Sequence, residues 1–177
     1  MNPIQKSAFE LDLRALKSLR ISEEGLTGTL LSACSAHDAD RKMQLGVIKY
    51  LIALGADTNE CDKNGVTPLH RAVRFRNVAA VEAILGNGGK INAQDKKSKS
   101  TALHRAVTNT GAPRTAGKKD EIIEIIRILL RAGADTLIKN KTGKAPIEYV
   151  KDPEILGILK EAGNAKSRGV AAGRKKK

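Results

Sequence analysis

Apolar residues along this chain come in paired short runs at three- and four-residue spacing, the period of a helix with one buried face. Leu69–Val73 and Val78–Leu85 form one such pair, separated by a short polar break. A glycine-containing turn and an extended stretch follow before the pattern starts again. The spacing predicts helix, turn, helix and a closing turn. Nearer the start, Ser7–Leu19 places Phe9, Leu13, Leu16 and Leu19 on one face, which predicts a single N-terminal helix.

The residues recur as well as the pattern. Thr67-Pro68-Leu69-His70-Arg71-Ala72-Val73 returns as Thr101-Ala102-Leu103-His104-Arg105-Ala106-Val107. Leu54-Gly55-Ala56-Asp57-Thr58-Asn59 returns as Asn87-Gly88-Gly89-Lys90-Ile91-Asn92 and as Ala132-Gly133-Ala134-Asp135-Thr136-Leu137. Self-similarity at such a period is the mark of stacked units. Thr67 is suited to cap the first helix, and Pro68 to its first position, where a missing N–H costs nothing. Gly55, Gly88 and Gly133 are suited to the left-handed turn that ends the second helix.

Asp62-x-x-Gly65-x-Thr67-Pro68-Leu69-His70-x-Ala72 and Leu129-Leu130-x-x-Gly133-Ala134-Asp135 resemble the opening and the close of the ankyrin repeat consensus. The resemblance implies an all-α solenoid of stacked helix-turn-helix units joined by short β-turn or hairpin connections. It also implies a non-enzymatic, protein-binding module with no cofactor and no metal. We assign residues 1–22 to an N-terminal capping helix and the units to 23–61, 62–94, 95–139 and a partial 140–163. Residues 164–177 form a basic tail expected to be disordered, being small, polar and cationic. Leu69, Ala72, Val81, Leu85, Leu103, Ala106, Ile126, Leu129 and Leu130 are the expected core between units.

The departures from the repeat matter. The first unit, around Thr29-Leu30-Leu31-Ser32-Ala33, lacks both the proline and the histidine, and His37–Lys42 lengthens its inter-helix turn. The third unit has a turn lengthened by Thr110–Asp120, an extra residue in Ser98-Lys99-Ser100, and no glycine where its neighbours have Gly65 and Gly143.

Candidate chemistry is sparse. Aromatic residues are 2% of the chain, too few for a platform that stacks nucleic-acid bases. No segment is apolar enough to span a bilayer, and the N-terminus lacks a secretory hydrophobic region. A cytoplasmic protein is expected, with the nucleus as the alternative the basic tail allows in a eukaryote. The resemblance implies that His70 and His104 are structural groups that bond backbone or hydroxyls between units, not catalytic bases. Gly86-Asn87-Gly88-Gly89-Lys90 fails as a phosphate-binding loop, since Ile91 stands where a hydroxyl is needed. Cys34, His37, Asp38 and Asp40 lie close in sequence, but one loop offers no second pair of metal ligands. Glu121, Glu124 and Glu154 are spaced as exposed positions.

Charge is the strongest remaining signal. The chain carries a formal net charge of +13, and residues 166–177 hold six bases and no acid. Implied partner-binding positions on the groove and turn tips are Lys63, Arg71, Arg74, Phe75, Arg76, Lys96, Lys97, Lys99, Arg105, Lys141 and Lys144, with Lys139 on the same tips. The long inter-helix turns add Arg41, Lys42, Arg114, Lys118 and Lys119, expected to flank Arg74-Phe75-Arg76 from one side. Two functional readings stay open: a monomeric module that binds an acidic protein through its groove, and an electrostatic binder of nucleic acid or another polyanion that uses groove and tail. Lysine-rich turns that serve only solubility are the bland alternative.

Overall fold

The computed structural model describes residues 2–19, 21–36, 40–108 and 119–173, with residues 23–24 and 164–173 described by backbone alone. Its helices are α1 (Pro3–Phe9), α2 (Leu13–Ser18), α3 (Glu23–Leu26), α4 (Thr29–Ser35), α5 (Arg41–Ala53), α6 (Pro68–Arg74), α7 (Val78–Gly86), α8 (Ala102–Thr108), α9 (Lys119–Arg131) and α10 (Pro153–Gly173). A 3-10 turn, Pro146–Tyr149, precedes α10. The described residues contain no strand, so the connections are turns closed by backbone pairs such as Asp62 N–H to Val66 C=O, 3.1 Å.

Two helical layers result. The first helices stack in the order α1, α4, α6, α8 and the 3-10 turn, and the second helices in the order α2, α5, α7, α9 and α10. Leu30, Leu69 and Leu103 from the first layer and Leu16, Ile48, Leu51, Ile84, Ile126, Leu129, Ile155 and Leu159 from the second are fully buried between neighbours. Leu85 and Leu130, expected in the core, are only half-buried against it; Ile84 takes the fully buried place. The helical stripe is wide enough for both neighbours, and stacking selects one of them.

The N-terminal segment is two helices, not the single helix the spacing predicts, and it follows the repeat. Pro3 corresponds to Pro68, Gln5 to His70 and Asp12 to Asn77. Leu11 and Arg76, at matching places before the second helix, both have positive φ (58° and 54°). Asp12 and Asn77 then cap α2 and α7 by accepting from Ala15 N–H and Ala80 N–H. The break at Leu11 turns the apolar face, so Leu11 is buried and Phe9 is exposed.

Unit one replaces the missing proline and histidine with a carboxylate from its own closing turn. The Glu60 oxygens accept from Gly28 N–H (2.6 Å) and Leu31 N–H (2.8 Å) at the start of α4. Burial raises the Glu60 carboxyl, and those backbone bonds oppose the rise. Gly28 is itself required: its φ is 76°, and a Cβ there would meet the Gln5 amide at 2.7 Å.

The lengthened inter-helix turns leave α5 and α9 one turn longer at their starts than α7. Gln44 of α5 thereby lies level with Asn77 and accepts from its side-chain amide in a buried pair between units. At the other end of the chain, the α10 backbone stays helical to Gly173, into the segment the sequence predicts as disordered. Its first turns are anchored by buried Ile155 and Leu159, so no new nucleus is needed to continue.

Two stability predictions follow from this packing. Leu103→Ala removes a side chain 1% exposed between three units, and chemical denaturation should report a loss of about 2–5 kcal/mol. Lys99 holds a left-handed φ of 54° where the neighbouring tips have Gly65 and Gly143 at 72° and 76°. Lys99→Gly should therefore stabilise the protein by roughly 0.5–1 kcal/mol, the left-handed strain relieved less the extra freedom of unfolded glycine.

Candidate functional site: the turn-tip surface

Each first helix starts from a turn tip, and the tips are built by one repeated set of bonds. Asp62 Oδ1 accepts from Asn64 N–H and Val66 N–H, and Asp95 Oδ1 accepts from Ser98 N–H. Asn140 does the same work in the last unit, with Thr142 N–H and Lys144 N–H as donors. Backbone bonds then join tip to tip: Lys96 N–H to Asn64 C=O and Lys141 N–H to Ser98 C=O, both 2.8 Å.

Behind the tips stand the two histidines, both buried. His70 Nδ1 accepts from Thr67 N–H (3.2 Å), so the ring proton lies on Nε2, which donates to Ser100 C=O of the next unit (3.0 Å). His104 repeats this with Thr101 N–H (3.1 Å) and Lys144 C=O (3.1 Å). Gln5 substitutes for them at the N-terminus: its Oε1 accepts from Asn2 N–H and its Nε2 donates to Thr27 C=O (2.8 Å). Burial lowers both imidazoles, His70 to about 4, since the charged form would lose water.

Arg71 and Arg105, expected to face the groove, have their charge engaged at the tips. Arg71 Nη2 lies 3.0 Å from Asp62 Oδ2, and Arg105 Nη2 lies 3.3 Å from Asp95 Oδ2. Burial raises these carboxyls, but hydrogen bonds from the turn N–H groups and the arginines hold both below the usual carboxylate range. Tyr149 takes the arginine's place in the last unit, and Asn140 the aspartate's, with Asn140 Nδ2 donating to the phenol oxygen at 2.7 Å. Tyr149 escaped the sequence reading, although Pro146-Ile147-Glu148-Tyr149 matches Pro68-Leu69-His70-Arg71 position by position.

The structure gathers Lys97, Arg105 and Lys141 around one cleft of about 410 Å³ between the third and fourth units, with Ser98, Ser100, His104, Thr108, Asn140, Thr142 and Tyr149. Lys63, Lys96, Lys99, Lys139 and Lys144 are exposed on the same row of tips. Arg74, Phe75 and Arg76 lie at the far end of α6 from that row. There Arg41 Nη2, at the start of α5, donates to Phe75 C=O (3.0 Å). Arg76 is lowered by burial, raised by Glu121 and lowered again by Arg41. Glu121 is accordingly half-buried rather than exposed. Lys119 points instead to Asp152 (2.8 Å) and Glu154 (3.0 Å) at the start of α10, and Lys42 lines a separate cleft beside Met43. Arg114 and Lys118 lie outside the described residues.

A family model described as ankyrin repeats, in three copies, matches residues 30–140. The chain belongs to the ankyrin repeat family. Ankyrin repeats generally mediate protein–protein interaction and are typically non-enzymatic. Similar proteins include an ankyrin repeat protein of fowlpox virus (strain NVSL), 36% identical over 111 residues, with 62% of this chain and 29% of the relative covered. The SMC5-SMC6 complex localization factor protein 1 of Homo sapiens is 30% identical over 122 residues, 67% of this chain and 10% of that protein. The B-cell lymphoma 3 protein homolog of Mus musculus is 31% identical over 114 residues, 64% of this chain and 23% of that protein. The chain thus spans under a third of these relatives' length. No helix among the described residues is long and apolar enough to cross a membrane.

Of the four residues close enough in sequence to suggest a metal, Cys34 is buried, its thiol pushed far up by desolvation and by Glu60. Asp40 is the N-cap of α5, and His37 and Asp38 lie outside the described residues. Gly88 ends α7 with φ 83°, as the repeat alignment implies.

The histidine geometry predicts a pH dependence. Folding lowers His70 to about 4 and His104 below its ordinary value, while the unfolded chain takes up protons below about pH 6.5. Stability should therefore be full above that value and fall toward pH 4, by at most about 1.4 kcal/mol per pH unit for each histidine. The low carboxyls of Asp62 and Asp95 add a further loss only below about pH 4. Because Gln5 already makes both bonds, His70→Gln with His104→Gln should keep the fold and flatten the slope between pH 6.5 and 4 in urea titrations. An unchanged slope would show that these rings do not carry it.

Proposed function

We propose that the chain is a non-enzymatic protein-binding module whose concave tip surface takes an acidic segment of a partner. The observation that carries this reading is the fate of the tip carboxylates. Asp62 and Asp95 are consumed by their own turns and by Arg71 and Arg105, which leaves Lys63, Lys96, Lys97, Lys99, Lys141 and Lys144 exposed with no acid among the tips set against them. Successive units repeat at one orientation, so these ammonium groups form a row. A partner's carboxylates meet a continuous field, which raises the association rate at low salt. Little order is lost on binding, since backbone bonds between tips hold the surface in place beforehand. Arg74, Phe75 and Arg76 would extend the contact along α6 for a longer partner.

Charge reversal belongs on the lysines. Arg71→Glu or Arg105→Glu would set a new carboxylate beside Asp62 or Asp95 and unsettle the tip itself. Lys97→Glu with Lys141→Glu should lower the affinity for a labelled glutamate-rich peptide by about tenfold or more, read by fluorescence anisotropy. Lys160→Glu on α10 serves as the control, and equal affinity in both variants would sink the reading. A single-stranded oligonucleotide tests the polyanion alternative, for which affinity should fall by orders of magnitude between about 50 and 200 mM salt.

A further inference from the structure

Position by position, the groove runs Arg71 with Asp62, Arg105 with Asp95, then Tyr149 with Asn140. The last pair keeps the hydrogen bond and drops both charges. A half-exposed aromatic ring thus stands where the second and third units have a guanidinium, and the carboxylate that offset the local lysines is gone. The ring is fixed from several sides. Asn140 and Thr142 hold its hydroxyl (2.7 and 2.9 Å), His104 packs edge-on at 6.3 Å between centroids, and Lys144 Nζ lies 5.7 Å from the ring centre.

The rest of the cleft has few polar atoms to offer. Arg105 and Ser98 bond Asp95, the Thr108 hydroxyl donates to His104 C=O, and both His104 nitrogens are engaged. The lining also carries carbon in the phenol ring of Tyr149, the Thr108 methyl and the Arg105 stem, with the Ser100 hydroxyl beside them. Lys97 and Lys141 stand exposed at the edges. A volume of about 410 Å³ suits one large side chain with a stretch of backbone.

We propose that this cleft is an anchor site for a single large apolar side chain of the acidic partner segment, whose flanking carboxylates meet Lys97 and Lys141. The inference rests on the reading of the tip surface as the partner site and adds the anchor residue to it. Charge alone would let an acidic segment slide along the row of lysines. One apolar side chain in a desolvated cleft sets the register and supplies most of the discrimination, as central anchors do at interfaces.

The test uses the full chain and four labelled probes of equal length: a glutamate-rich peptide with a central leucine, the same peptide with serine there, a glutamine-rich peptide with the leucine, and a single-stranded oligonucleotide. The acidic leucine peptide should bind at least about tenfold tighter than the acidic serine peptide. Thr108→Trp, which fills the cleft, should erase that difference while leaving the acidic serine peptide unaffected. Ser100→Leu fills it from the neighbouring turn and gives the same readout if the tryptophan variant unfolds. Tyr149→Phe keeps the ring and should keep the preference for leucine. Equal binding of the two acidic peptides would overturn the anchor and leave the acidic-partner reading standing. Failure of both to bind at low salt would remove that reading and the anchor with it. A leucine preference that survives both filled clefts would place the anchor elsewhere, and tighter binding of the oligonucleotide than of any peptide would overturn the assignment of partner class.

Discussion

In three of its helix pairs the stack depends on one side chain that faces two ways. At the third position of a first helix, His70, His104 or Gln5 accepts from its own helix start with one atom and donates to the next unit's backbone with another. The first bond satisfies an N–H that a helix start would leave unpaired, and the second ties the backbone of the next unit's opening turn to a buried group. Local helix initiation and long-range stacking are thereby coupled through a rigid ring or a short amide. A ring with both nitrogens committed has no site left for proton transfer, which is the physical reason these histidines are unfit as catalytic bases.

Electrostatics is organised on the same frame. The aspartates that open the second and third units look like ligands for incoming cations, yet their oxygens are filled by turn N–H groups and by an arginine on the following helix. The partly exposed pair of Arg71 with Asp62 is worth little as stabilisation. The larger effect of both pairings is to remove the acids from the field of the tips, so that the lysines around them set its sign. The last unit, with Asn140 and Tyr149, removes charge and leaves a ring in its place. The tip surface is thus graded along the solenoid, from paired guanidinium groups to an aromatic ring.

Extra length in the inter-helix turns acts at the opposite end of the helices. One added helical turn on α5 brings Arg41 to the Phe75 carbonyl, while the start of α9 brings Glu121 near Arg76 and Lys119 to Asp152. The insertions therefore brace neighbouring units as well as lengthening the surface. Glu60 offers a parallel case at the tips, where a carboxylate from the closing turn replaces a missing capping box.

Much of this was legible in residue order. Thr67-Pro68-Leu69-His70 states its own cap and helix start, the glycines state their turns, and recurrence near 33 residues states that units stack, because all three are set by bonds within a few positions or by a repeated pattern. The burial of Leu69, Leu103 and Leu129 followed from that alone, and the structural role of the histidines from the resemblance to the ankyrin repeat. What the tertiary structure decided were relations between units whose residues lie some thirty positions apart. Stacking chose Ile84 over Leu85, bent the N-terminal helix at Leu11 into a fifth pair, closed Arg71 and Arg105 onto aspartates, and set Tyr149 against His104. A helix period identifies a face but not which of two adjacent residues the neighbour covers, and a charge count cannot tell a paired arginine from a free lysine. Those outcomes depend on distances of a few ångströms between units, which exist only once the units are packed.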